Sequence, residues 1–154
     1  MDEIEGSYIY YTTYHEEIVI KGIEAINDYL THASDKEKRS LLFCLDKYLD
    51  PYYGYQLPFF NEAIAVLEEH LFMEHNKEVK EDILQLLANY SKDRLDYLAE
   101  NIDRMDNELL ADAIYSLGLT FNQTYIPILK SFENHNNLGI QRAAKEAIET
   151  IGGG

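Results

Sequence analysis

The stretch EEHLFMEH, Glu68 to His75, gathers the residue types that site chemistry uses most. His70 and Glu74 stand four apart, a spacing that puts two side chains on one helix face. A metal ion needs three or four converging ligands, and the HExxH pattern of zinc proteases is absent. The stretch therefore reads as a solvated polar face with Leu71 turned inside. The only His-Glu dipeptide is His15–Glu16. The single cysteine, Cys44, cannot bridge within the chain or hold zinc alone, and in LLFCLDKYL it reads as a small core residue. No glycine-rich phosphate loop, G-x-S-x-G elbow or Cys-His pair occurs. The sequence predicts no catalytic residue, no metal, no cofactor and no enzyme.

What remains for function is charge and tyrosine. Thirteen Lys+Arg stand against 28 Asp+Glu, a formal net charge of −15. Binding nucleic acid rests on cationic side chains that neutralise phosphates, so DNA, RNA and anionic membranes are poor partners. A basic protein is a good one, because the field attracts it and speeds encounter. There are 13 Tyr and no Trp. The tyrosines cluster at Tyr8, Tyr10, Tyr11 and Tyr14, and again at Tyr52, Tyr53 and Tyr55.

The elements that must position these groups are helices. In YHEEIVIKGIEAINDYL, residues 14–30, Ile18, Ile23, Ile26 and Leu30 recur near one stripe. Thr13 with Glu16, and Ser34 with Glu37, form capping-box patterns. Asn76, Ser91 and Asp106 precede further apolar runs as N-caps. Pro58 and Pro127 sit where helices begin, and Gly118 and Gly152 where they end. The chain reads as eight helices in one domain, residues 1–154. Residues 1–13, with the β-prone SYIYY, form an N-terminal cap or extended segment. Residues 50–58, DPYYGYQLP, are a loop insertion, and residues 152–154 a frayed tail or a non-native remnant. The acidic start lacks the basic and apolar regions of a secretory signal, and no apolar run approaches a membrane span. The expected setting is cytoplasmic.

Helices of one type recur. Val79–Leu87, Leu109–Leu117 and Arg142–Gly152 align, Lys38–Leu45 fits upstream, and a second helix lies between successive copies. A helix pair this short leaves an apolar face that stacked neighbours bury, so the fold class expected is an all-α solenoid. Tyr125–Gly153, with Pro127, Leu129, Arg142, Ala143, Ala144, Ala147 and Gly152, resembles a HEAT repeat of the short bacterial type. The resemblance is good over about residues 77–152 and thin over 1–60.

That family includes scaffolds, regulators and enzymes, so the resemblance implies a fold and little about function. Its di-iron hydroxylases carry His-Glu pairs at the ends of first helices, where this chain has no His. Its DNA glycosylases need a basic groove, and nothing marks the bilin pocket of its lyases. In such arrays the second helices line the concave side. Helix 59–74 then buries Phe60, Ile64, Leu67 and Leu71 and turns Glu62, Glu69 and Phe72 outward. Helix 93–103 buries Leu95, Leu98, Ala99 and Ile102 and aims Asp96, Glu100 and Asp103 along one stripe. Side by side these make a negative trough, edged by Tyr52, Tyr53 and Tyr55 on their loop. The expected function is a protein-binding module that captures a basic protein. Its sharpest form is an immunity protein against a cationic bacterial toxin such as a nuclease. A regulatory or scaffold module that binds a peptide or subunit, and an enzyme with a cryptic site, stay open as alternatives. The oligomeric state is not legible.

Overall fold

The computed structural model describes residues 9–91 and 95–153. Parts of the expected features lie outside these residues: the N-terminal segment through Tyr8, residues 93 and 94 of helix 93–103, and Gly154. The chain divides into two compact units, residues 1–86 and 87–154. Among the described residues there are nine α-helices, three 3-10 turns and no strand. The all-α class is as expected. No described helix is long and apolar enough to cross a membrane.

Nine helices replace the expected eight because helix 14–30 is broken in two, α1 (Thr13–Lys21) and α2 (Ile23–His32). Between them Gly22 has φ 119° and ψ −171°, which glycine reaches and residues with a Cβ do not. The α1 cap is also shifted from the expected Thr13–Glu16. Thr12 is the N-cap, its Oγ1 accepts the Tyr14 amide, and its own amide donates to His15 Nδ1 at 3.0 Å. A histidine thus takes the part of the capping-box carboxylate, which frees Glu16 to reach another helix.

In the first unit follow α3 (Asp35–Leu49), a 3-10 turn at Pro51–Tyr53, α4 (Phe60–Met73) and α5 (Lys77–Tyr90), in which the unit boundary falls. Asn76 caps α5 through the Val79 amide, as the sequence predicts. Ser34 caps α3 through the Glu37 amide, but the Glu37 carboxylate turns to His15 and Tyr29 instead of completing the expected capping box. α1 packs on α2 and α3, and α2 packs on α4. Val19, Ile26, Leu41, Leu45 and Leu67 are fully buried among them. Cys44 is a core residue, and burial pushes its thiol up to about 12. At neutral pH it carries essentially no thiolate, the reactive form.

The second unit contains α6 (Asp96–Glu100), a 3-10 turn at Ile102–Arg104, α7 (Asn107–Gly118), a 3-10 turn at Gln123–Tyr125, α8 (Ile126–Lys130) and α9 (Leu138–Gly153). Pro127 lies in the first turn of α8, where its missing N–H costs nothing. α9 packs on α7 and α8. Gly118 ends α7 and also sets its distance from α9. A Cβ there would lie 2.8 Å from Ala147 Cβ and 2.9 Å from Ala147 Cα. Ala113 of α7 and Ala143, Ala144 and Ala147 of α9 are buried as well.

Candidate functional site

In the first unit, α4 carries Glu62 and Glu69 on its exposed face, as expected. Its inner face is rotated from the predicted one. Ala63, Leu67, His70 and Leu71 are buried, whereas Phe60, Ile64 and Phe72 are half-buried. Within Glu68–His75, Glu69 and His75 are solvated as expected, but His70 and Glu74 are not. His70 is 3% exposed, with Nε2 2.7 Å from Asn27 Oδ1 of α2. Desolvation holds its pKa below the ordinary histidine value. Glu74 is also buried, bonded to Lys38 Nζ at 2.8 Å and to the amides of His75 and Asn76. Burial alone would raise its pKa, but Lys38 and the two amides outweigh it and hold the carboxyl below its usual range. The two side chains separate toward different helices, and no cluster of three or more metal-ligating residues exists among the described residues.

His15 and Glu16 also part company. An amide N–H can only donate, so the Thr12 amide assigns the acceptor role to His15 Nδ1. The ring proton then lies on Nε2, which donates to Glu37 Oε1 of α3 at 2.9 Å. Tyr29 Oη donates to the same oxygen at 2.6 Å. Tyr29 first and His15 second hold the Glu37 pKa below the usual range. Carboxylate, imidazole and the Thr12 hydroxyl stand in the order of a nucleophile relay. Yet the ring's lone pair already receives the Thr12 amide, and Thr12 Oγ1 lies farther off, at 3.3 Å from Nδ1, while accepting the Tyr14 amide. The constellation closes a helix N-terminus onto α3.

Glu16 joins a second cluster. Lys47 Nζ bonds Glu16 Oε2 at 2.9 Å and lies 5.4 Å from the Tyr11 and Tyr55 ring centroids and 5.6 Å from that of Tyr48. Tyr48 Oη donates to the same carboxylate at 3.3 Å. Three tyrosines and a glutamate thus enclose one ammonium, and each ring contributes a cation–π contact. Both sequence clusters of tyrosine supply a member. All three loop tyrosines are exposed, Tyr52 at 87%, Tyr53 at 57% and Tyr55 at 46%, but Tyr55 alone of them also rests its ring against Tyr48 of α3.

In the second unit Leu95, Leu98, Ala99 and Ile102 are buried, and Asp96, Glu100 and Asp103 are exposed, each as expected. They do not form one α-helical stripe. α6 ends at Glu100, and Asp103 belongs to the following 3-10 turn, because the Asn101 amide bonds back to the Tyr97 and Leu98 carbonyls. Asp96 is also tied inward, accepting Tyr125 Oη at 2.6 Å. Glu62 and Glu69 belong to one compact unit and these three carboxylates to the other.

No family model, curated protein or solved structure matches this chain.

Proposed function

We propose that this chain is a helical-repeat binding protein that takes a basic protein on its acidic surface. In its sharpest form it is an immunity protein that covers a cationic toxin such as a nuclease. The observation that carries this reading is an asymmetry in how charges are used. On α3, Lys38, Arg39 and Lys47 turn toward the rest of the first unit and pair with Glu74, with Glu78 and Asp82, and with Glu16. Glu62, Glu69, Glu100 and Asp103 remain exposed. Cations are outnumbered more than two to one, and because these three are matched by four carboxylates, the pairing leaves the large negative excess of the chain almost unchanged. Such a surface favours fast capture of a positive partner.

The repeat part of the proposal is supported by packing between alternate helices, α1 with α3, α2 with α4 and α7 with α9. That is the neighbour relation expected when helix pairs stack. Two of the segments that align in sequence, Leu109–Leu117 and Arg142–Gly152, lie on the α7 and α9 that meet at Gly118 and Ala147. Asp96 is left out of the partner surface, since its bond to Tyr125 gives it a structural role.

Charge reversal tests the reading. Glu62, Glu69, Glu100 and Asp103 are changed to Lys, and circular dichroism checks the fold. The native chain is expected to retain one stoichiometric basic protein from its own lysate, less of it as salt rises, and the reversed chain none. Retention that ignores both salt and reversal overturns the acidic-surface reading. Immunity further requires that the retained protein be toxic alone and harmless when this chain is co-expressed.

A further inference from the structure

We propose that Tyr52 and Tyr53 receive a lysine or arginine side chain of the basic partner, and that Tyr55 and Lys47 form the anchor that presents them. The inference rests on the basic-partner reading above and names its contact point. The loop is held at both ends. Asp50 Oδ1 accepts the Tyr52 amide at 2.9 Å and caps the 3-10 turn. Gly54 then reverses the chain at φ 73°, and Gln56 is also left-handed at φ 47°. A non-glycine residue there stores strain that the surroundings must hold. Tyr55 supplies the hold, with its ring 4.5 Å from that of Tyr48 and beside the Lys47 ammonium.

Anchoring Tyr55 leaves Tyr52 and Tyr53 at the tip. Their rings stand 5.5 Å apart and nearly perpendicular, at 83°. Two large rings left in water forgo the burial that normally rewards an aromatic side chain, and the π faces not engaged in their edge-to-face contact stay open to a cation. The chain itself displays what such faces take: Lys36 lies over Tyr10 at 5.8 Å, and Lys47 over Tyr11, Tyr48 and Tyr55. With a net charge of −15, the long-range field favours a positive occupant, and Asp50 at the base of the turn adds a local negative charge.

The test uses an oligo-lysine peptide at low salt, with affinity read by calorimetry and ring contact read by NMR. The native chain is expected to move the peptide's ε-methylene protons upfield, the ring-current signature of stacking on an aromatic face. Tyr52→Ala with Tyr53→Ala abolishes that shift and weakens binding roughly 5- to 30-fold, the size expected for two exposed cation–π contacts. Tyr52→Phe with Tyr53→Phe keeps the rings and restores both readouts. Tyr55→Ala leaves both tip rings in place and weakens binding because the loop loses its anchor. A double alanine variant that binds as tightly as the native chain overturns this inference and leaves the acidic surface standing. A native chain that does not bind the peptide at all overturns the basic-partner reading itself.

Discussion

In the first unit the helices meet through charges and polar hydrogen bonds that reach from one element to another. Lys38 of α3 bonds Glu74 beyond α4, Arg39 bonds Glu78 and Asp82 of α5, Lys47 bonds Glu16 of α1, and His70 of α4 meets Asn27 of α2. In the second unit α7 and α9 come closest at small side chains, Gly118 against Ala147, with Ala113, Ala143 and Ala144 also buried, while Tyr115 Oη donates to Glu146 Oε2 across the same pair at an exposed edge. A buried ion pair is directional and tolerates little loss of either partner. A close contact between small residues is insensitive to charge and intolerant of added volume. One unit therefore ought to fail on removal of a charge, and the other on addition of a methyl group.

The largest expected effect comes from Lys38→Met. The pair is nearly closed to solvent, with side-chain exposures of 13% for Lys38 and 6% for Glu74. Removing one member of such a pair leaves the other charged and buried, a loss of about 3–5 kcal/mol. The lower end applies, because Glu74 keeps the amides of His75 and Asn76. Glu74→Gln retains an acceptor oxygen for those amides and is expected to cost less. Urea midpoints followed by circular dichroism measure both. A Lys38→Met variant as stable as the native chain would show that apolar packing, and not the ion pair, holds the first unit.

Volume is the corresponding probe of the second unit. Gly118→Leu forces side-chain atoms into the space where Ala147 Cα already lies 2.9 Å from a Cβ position, and overpacking of this kind costs about 1–3 kcal/mol. Gly118→Ala brings the two Cβ atoms to 2.8 Å and is expected to cost less. Ala147→Gly should recover part of that loss in the double variant, because it removes one of the two colliding carbons. Thermal melts of the four chains close the cycle. Additive losses would separate Gly118 from Ala147 and break the comparison on its second side.

The same contrast explains what the sequence reveals. Apolar spacing is local, so Leu67, Leu71, Leu95, Leu98, Ala99 and Ile102 read as buried and are buried. The Ser34 and Asn76 caps need only a neighbour a few positions on, and they too are legible. His70 and Glu74 mislead because their partners Asn27 and Lys38 lie 43 and 36 residues away, and no periodicity carries that information. The Lys47 enclosure draws Tyr11, Tyr48 and Tyr55 from three segments, so the two tyrosine clusters read as separate features. On the candidate surface, the exposure of Glu62, Glu69, Glu100 and Asp103 follows from helical phase. The break at Asn101 and the Tyr125–Asp96 bond depend on contacts between elements, so the sequence presents one unbroken stripe.

The smallest expected effect is a pH dependence confined to the first unit. His70 has its pKa lowered, chiefly by desolvation; Glu69 and Glu74 pull it the other way, and Lys38 assists the lowering. In the unfolded chain the ring titrates near its ordinary value of 6.5, so just below that pH the unfolded state binds more protons than the folded one. Stability then rises with pH through this window. The contribution of neutral His70 is complete above pH 6.5 and is lost as the pH falls toward the depressed value. One proton limits the slope to about 1.4 kcal/mol per pH unit. His70→Gln removes the titration, so its stability between pH 5 and 7 is expected to vary less steeply than that of the native chain, whatever offset the lost Asn27 bond imposes. Equal slopes would mean that the ring accepts a proton in place, and that the polar contacts of the first unit are less sealed from solvent than their burial implies.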